Sequence, residues 1–369
     1  MGNTKARAAV VRTIGGPFEI EDIEIAPPRE HEVLVRMVGV GICHTDLVCR
    51  DGFGLPMPIV LGHEGSGIIE AVGEKVTRVR AGDPVVISFD SCGSCAGCHD
   101  EVPAHCDQFM PRNLSGSRVS DGTTALSVDG EKIFANFFGQ SSFATHAIAH
   151  ETNVVPVPRD LPLELLGPLG CGVMTGAGAV LNSLQVREGE SVVIFGAGAV
   201  GISAVLAAAA VGASPIIVVE PNEGRCRLAC ELGATITLQP SAEPDLVDRI
   251  KASTAGGARH AIDTTANAKV IETAALVLGI NGVLGLLGVP NATDTVTFNL
   301  LELLTRGIVI RSIIEGDADP QSFIPKMLSL YRDGRFPFDR MIRSFPFDKI
   351  NEAAAAAESG AVIKPVLVF

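Results

Sequence analysis

Up to about residue 150 the chain reads as short runs rich in Val, Ile and Leu, cut by Gly and Pro: AAVVR, EVLVRMVGV, PIVLGHEGSGIIEAVG, DPVVISF and FATHAIA. Brief β-branched runs between turn formers predict a mainly antiparallel β domain. Residues 107–132 turn polar and rich in Gly and Ser, which predicts a surface excursion. Beyond about residue 175 the texture becomes an alternation. The strand-like SVVIF, IIVVE, TITL, HAIDTT and VLGLLG are separated by Ala- and Leu-rich stretches such as GISAVLAAAAVG and EGRCRLACELG. Apolar strands alternating with helices predict an α/β domain, a doubly wound parallel sheet covered on both faces. After about residue 316 the alternation stops, with NEAAAAAESG predicting a helix and VIKPVLVF a last strand. These shifts divide the chain into 1–174, 175–315 and 316–369, the last segment expected to return to the first domain.

A chain of 369 residues accommodates two domains, and its 47% of apolar residues can bury a large core. No apolar run is long enough to span a bilayer, and MGNTKARAAV lacks the apolar centre of a signal peptide, so a cytoplasmic protein with no membrane partner is expected. The formal charge of −13 repels phosphate backbones and argues against nucleic acid as a partner. Nine cysteines in such a chain point to metal ligands, reactive thiols or core filler rather than disulfides.

The pentapeptide GAGAV occurs at 176–180 and 196–200, but only the second copy follows a strand and continues to a third glycine. There Gly196-Ala-Gly198-Ala-Val200-Gly201 has the G-x-G-x-x-G spacing of a Rossmann dinucleotide fold. The first glycine makes the turn, the second admits a pyrophosphate and the third lets helix pack on strand. The next strand ends at Glu220, nineteen residues beyond Gly201, where a carboxylate accepts ribose hydroxyls and repels a 2′-phosphate. NAD is therefore expected over NADP, with the nearby Arg225 as the feature that could tolerate the phosphate.

Cys92, Cys95, Cys98 and Cys106 fall within fifteen residues, in a lobe at about 90–110 that supplies the four thiolates of a closed zinc site. An iron–sulfur cluster is the rival, but its x2, x2 spacing continues with x3 and Cys-Pro, whereas this chain has x7 and Cys-Asp. His99 and His105 in the same lobe are expected to be solvated. Elsewhere Cys43, His63 and Cys171 could form a three-ligand zinc site with one open position, although spacing alone does not assemble them.

Gly62-His63-Glu64 with the following EGSG, the four-cysteine lobe, PLGCG around Cys171 and the glycine fingerprint occur in one order that resembles the zinc-dependent medium-chain alcohol dehydrogenases. GICHTDLVCRDG and FFGQSSFATHA are most similar to the benzyl (aryl) alcohol dehydrogenases within it. The resemblance implies a GroES-like mainly-β catalytic domain beside the Rossmann domain, two zinc ions per chain, NAD, and a homodimer or homotetramer. It implies that Cys43, His63 and Cys171 hold the catalytic zinc, Glu64 enters transiently, and Asp46 hydrogen-bonds the far nitrogen of His63. Thr45 would meet the substrate oxygen. His44 and Lys364 would approach the pyrophosphate, Thr175 and Val289 the nicotinamide, and Arg225 the adenosine ribose. Phe53, Phe89, Phe137, Phe138, Val289 and Ile313 would line the pocket.

These roles imply reversible oxidation of a primary aromatic or allylic alcohol to its aldehyde, with short aliphatic alcohols poorer. Many relatives place a histidine three residues after the Thr45 position; here it is Val48, which carries no proton acceptor. A metal-free NADP-linked quinone or enone reductase on the same fold is the rival enzyme, opposed by the candidate ligands and Glu220. A non-enzymatic role is opposed by the joint presence of ligands, Thr45 and fingerprint. Hydrolysis lacks an HExxH helix, a G-x-S-x-G elbow or a phosphate-cradling loop.

Overall fold

A computed structural model of the chain describes residues 2–291 and 293–369. The apolar runs of the first 150 residues become two sheets. One orders its strands Ile59–Val60, Thr4–Val11, Phe18–Ile25, Leu126–Val128 and Glu131–Lys132. The other runs Val154–Pro156, Pro84–Ile87, Glu64–Val72, Glu32–Gly41, Lys364–Val368 and Ile342–Pro346, with His146–His150 also pairing on Glu32–Gly41. The C-terminal strand Lys364–Val368 inserts beside Glu32–Gly41, antiparallel to it and parallel to Ile342–Pro346. The sequence PIVLGHEGSGIIEAVG is not one strand: it breaks between Val60 and Glu64, where Gly62 takes φ +91° and His63 turns into the interior. The segment 107–132, expected as a surface excursion, is mostly exposed or half-buried and contains the helix Phe109–Leu114 and the small hairpin Leu126–Val128/Glu131–Lys132. Buried Asn113 holds it, accepting from Asp90 N (2.8 Å) and donating to Asp90 O (2.9 Å).

The alternating half forms one parallel sheet ordered Ile236–Leu238, Ile216–Val219, Val192–Phe195, Ala258–Asp263, Leu278–Leu286 and Val309–Ser312. This is the doubly wound order in which the sequence doubles back at the first strand. The helix Ala199–Ala210 follows that strand, and its small residues pack tightly: Ala204, Ala207 and Ala208 are fully buried. A Cβ on Gly201 would lie 2.0 Å from Gly196 O, so only glycine lets helix and strand meet at this distance. The first GAGAV copy serves packing instead. A Cβ on Gly176 would meet Val200 O at 2.0 Å, and one on Gly178 would meet Gly316 O at 2.4 Å.

The chain divides into two compact units. The β-rich unit runs to Gly172 and takes up Asp319–Lys326 and Asp339–Phe369; the nucleotide-type unit comprises Val173–Ala318 and Met327–Phe338. The tail therefore differs from a simple return at 316, because residues 327–338 stay with the nucleotide-type unit. Gln321, early in the helix Pro320–Arg332, donates to Thr152 O (2.8 Å) and Val154 O (3.0 Å) of the β-rich unit. Beyond the helix end Arg335 donates to Ala210 O of the other. No helix among the described residues is long and apolar enough to cross a membrane.

Candidate active site and metal centres

Strand Glu32–Gly41 delivers Cys43 to the start of the helix His44–Asp51. Three residues on, the fully buried Asp46 turns back and accepts the Cys43 N–H at 2.8 Å, a reciprocal cap that fixes the helix entry. The same carboxylate accepts the Gly62 N–H (3.1 Å) and lies 2.8 Å from Nδ1 of His63. With Nδ1–H committed to Asp46, the other nitrogen presents a lone pair. His63 Nε2 is buried and has no hydrogen-bond partner. It faces the thiols of Cys43 and Cys171, the three ligand atoms lying within 4.8 Å of one another. An orphaned imidazole nitrogen converging with two thiols fits a divalent metal with an open fourth position.

The electrostatics point the same way. The Cys43 thiol is held well below its ordinary range by the hydrogen bond from Cys171, with burial opposing and the charges of Lys364 and His63 assisting. Burial pulls His63 down, but Asp46 and Cys43 outweigh it and raise the imidazole well above its usual value. A divalent cation held here would take the place of the protons on these groups. Thr45 is half-buried, its hydroxyl 3.8 Å from Cys43 Sγ, while His44 is exposed.

Lys364, which the resemblance places near a pyrophosphate, lies against Glu64. It is 2% exposed, and Nζ donates to Glu64 Oε2 (2.8 Å), Glu64 Oε1 (2.9 Å) and Ile42 O (3.2 Å). These partners all lie in the β-rich unit. Burial opposes the charge, yet Glu64 and the nearby thiols raise the lysine above its ordinary value. Glu64 also accepts the Gly172 N–H at 3.0 Å, tying the residue after Cys171 to the residue after His63. Its carboxylate is thus a bolt between ligand segments in this structure, and burial raises its pKa against the pull of Lys364.

The second group is the lobe. Sγ atoms of Cys92, Cys95, Cys98 and Cys106 lie within 4.8 Å of one another, Cys95–Cys98 at 3.6 Å and Cys92–Cys98 at 3.9 Å. Tetrahedral zinc with thiolates at about 2.3 Å places sulfurs about 3.8 Å apart. Backbone N–H groups of Ser94 (3.4 Å), Cys92 (3.3 Å) and Gln108 (3.3 Å) already point at these sulfurs. Cys92 is drawn down to about 6 by Ser94 in particular, and burial pushes Cys106 up to about 12. His99 and His105 are exposed.

In the nucleotide-type unit Gly196 has φ +95°, and a Cβ there would meet Thr264 Oγ1 at 2.5 Å. A Cβ on Gly198 would meet nothing within 4 Å, so the second glycine opens onto free space beside the uncapped N-terminus of Ala199–Ala210. That cradle suits a pyrophosphate. Val200 is half-buried in the first turn of this helix. Glu220 sits under the glycine turn, accepting Ala197 N–H at 2.7 Å and Asn222 N–H at 2.9 Å. Each oxygen retains a lone pair for a ribose hydroxyl. Arg225 lies in the first turn of the helix Glu223–Glu231, half-buried, its backbone N–H capped by Asn222 Oδ1 at 3.1 Å.

Comparison with known proteins identifies the family. Residues 29–159 match the family described as alcohol dehydrogenase GroES-like domain, and residues 199–332 match zinc-binding dehydrogenase. The geraniol dehydrogenase of Castellaniella defragrans is 55% identical over 364 residues, 99% of this chain and 98% of that protein. The chain belongs to the zinc-dependent medium-chain alcohol dehydrogenases. Its fold superposes on an alcohol dehydrogenase zinc-binding domain protein from Burkholderia ambifaria with a TM-score of 0.97, at 48% identity over 100% of this chain and 99% of that one. Benzyl alcohol dehydrogenase from Acinetobacter calcoaceticus gives a TM-score of 0.96, at 44% identity over 99% of both chains.

Among this dehydrogenase's candidate pocket residues, Phe138 is 6% exposed and stacks on His63, ring centroids 4.5 Å apart, and Phe89 is buried. Phe137 is fully buried and meets the His63 ring edge-on at 5.4 Å. Phe53 is exposed, as is Val289, while Ile313 is buried. Thr175 is buried, 3.4 Å from the carboxylate of Glu315, a partner the sequence did not suggest. Also unanticipated is Gln140, 2% exposed, whose amide accepts Gly65 N–H (3.1 Å) and donates to His63 O (2.9 Å). Only its place in FFGQSSF, close after two aromatics, hinted at a role. Of the remaining thiols, burial pushes Cys49 up to about 12, Cys226 is buried against Glu220 O (3.3 Å), and Cys230 is exposed.

Proposed function

We propose that this enzyme oxidises primary aromatic or allylic alcohols reversibly to aldehydes, using NAD, a catalytic zinc held by Cys43, His63 and Cys171, and a structural zinc held by Cys92, Cys95, Cys98 and Cys106. The observation that carries this is the buried, partnerless Nε2 of His63 converging with two thiols. The geraniol and benzyl alcohol dehydrogenases named above support the substrate class. When bound, zinc supplies a Lewis acid for the substrate oxygen and the nicotinamide a hydride acceptor. Asp46 keeps His63 in the tautomer that presents Nε2. Thr45, two residues from a ligand, accepts the alcohol proton at its hydroxyl and releases it towards solvent or His44, because Val48 has no atom to take it. The ring of Phe138 forms an apolar wall beside the ligands, which favours flat unsaturated alcohols over short aliphatic ones.

Glu220 supports NAD, since a second phosphate on the ribose would meet a buried carboxylate. Nine free thiols suit a cytoplasmic enzyme. The deciding experiment is NADH formation with benzyl alcohol, geraniol, cinnamyl alcohol and ethanol, combined with a zinc count. Two zincs per chain and higher kcat/KM for the unsaturated alcohols are expected. Equal or better turnover of ethanol, or a preference for NADP, would overturn the corresponding part.

A homo-oligomer is the proposed assembly. Strand Val309–Ser312 is the outer edge of the parallel sheet, and the adjoining helix Leu300–Arg306 exposes Leu300 (79%), Leu301 (67%) and Leu304 (79%). An edge with no partner strand among the described residues, flanked by large apolar side chains, is a surface for another copy of the chain.

A further inference from the structure

The loop 136–142 concentrates unfavourable backbone conformations. Asn136 (φ +65°), Phe138 (φ +49°) and Ser141 (φ +53°) all lie in the left-handed region without being glycine, and Gly139 joins them at +64°. Left-handed backbone in a bulky aromatic residue persists only where its surroundings impose it.

The anchors are on the page. Ser141 Oγ donates to Val60 O (2.7 Å) and accepts Phe137 N–H (3.0 Å). Ser142 N–H and Phe143 N–H donate to Gly62 O (2.9 Å) and Leu61 O (3.0 Å). Gln140 grips His63 O and Gly65 N–H, and reaches Ser88 O at 3.3 Å. Ser141, Ser142, Phe143 and Gln140 thus tie the loop to the 60–65 segment that carries His63, while Asn136 donates to Arg112 O and Ser117 O on its other side (both 3.3 Å). Phe138 lies between these anchors, and its ring meets those of His63, Phe137 and Phe109.

Those contacts explain the strain. Consecutive side chains diverge by about 100° on a helix and about 180° on a strand, so two neighbours seldom touch one small ring. Here Phe138 covers the imidazole face at 4.5 Å and 28°, while Phe137 meets the same ring edge-on at 5.4 Å and 85°. The left-handed turn at Phe138 brings both rings to His63. Asp46 fixes one nitrogen of the imidazole, but a single hydrogen bond leaves the ring free to tilt about it.

The geometry points to Phe138 as a positioning residue for the catalytic zinc: its strained, stacked ring sets the plane of His63 and shields that flank of the metal bond from water. This rests on the reading of Cys43, His63 and Cys171 as a zinc site. The test uses metal-replete full chain, without alcohol, in wild type and in Phe138→Ala, Phe138→Leu and Phe138→Tyr. Release of each zinc to a chelator is followed, together with the visible spectrum after cobalt is exchanged into the catalytic site. Expected is release of the catalytic metal about tenfold faster in the Ala and Leu variants, with altered cobalt bands and unchanged release from the four-cysteine lobe. Tyr, which keeps the ring face, should restore wild-type behaviour.

Wild-type release and spectrum in both Ala and Leu variants would overturn the proposal and leave Phe138 as pocket wall alone. Parallel loss of both metals with a lower Tm would equally overturn it, marking the ring as core packing. If Phe138→Ala does not fold, the Leu variant decides by the same criteria. A wild-type chain that binds metal only in the four-cysteine lobe would instead remove the zinc reading on which the inference stands.

Discussion

Asp46 shows how much one buried carboxylate carries. It receives hydrogen bonds from Cys43 N, Gly62 N and His63 Nδ1, all donors converging on two oxygens. In Asp46→Asn one oxygen becomes an NH2, so at least one donor loses its acceptor, at a cost of about 1–3 kcal/mol. Metal affinity should fall by about 10–100-fold as His63 loses its tautomer control, read by chelator competition, with a lower Tm. The Val48 position permits a kinetic test of proton release: Val48→His should shift the pH profile of kcat, and an unchanged profile would place the route elsewhere. At this scale legibility was uneven. Cys43, His63 and Cys171 are 20 and 108 positions apart, and no spacing rule joins them; the family resemblance did. The placing of Lys364 came from the resemblance alone, and its burial against Glu64, set by a strand pairing between the two ends of the chain, has no local signal.

At the scale of elements, the parallel sheet was readable because continuous apolar runs and the glycine fingerprint are local signals. The 107–132 segment was not, since its helix and hairpin are held by single polar anchors such as Asn113 that composition hides among turn formers. A comparable anchor offers a stability test. Glu151, at the end of strand His146–His150, accepts Thr77 N–H (2.8 Å) and Arg78 N–H (3.1 Å) and pairs with His31 Nδ1 (2.8 Å). Burial alone would raise this carboxyl, but those partners outweigh it and hold it at about 2, below its ordinary 4.5. A depressed carboxyl contributes stability that is fully present above 4.5 and is lost as pH falls towards 2. Glu151→Gln should therefore cost about 1–3 kcal/mol near neutral pH, with the gap to wild type narrowing as acid is added. Urea unfolding across that pH range measures it; a gap independent of pH would mean the ionised form contributes nothing.

For the whole molecule, the sequence suggested two domains and a returning tail, and the structure adds that residues 327–338 remain with the nucleotide-type unit. Composition does not change at either crossing, so no local pattern could mark them. The same scale holds the surface question. Six parallel strands end at Val309–Ser312, whose outer edge has no partner strand among the described residues. Val309 is 51% exposed in that edge, with Leu300, Leu301 and Leu304 beside it on the preceding helix. A monomer would leave this apolar surface and a row of backbone donors and acceptors in water, the feature that soluble proteins usually blunt with charge or proline. In the proposed homo-oligomer a twofold axis beside the edge would cover both copies with one self-complementary contact, because each strand would present the same row to its mate. Leu304→Glu combined with Val309→Lys places charges on that contact without touching a metal ligand or the glycine turn. The variant is expected to lower the oligomeric state in light scattering while each chain keeps its zinc content. An unchanged mass would assign the assembly to another face and leave this edge without an occupant.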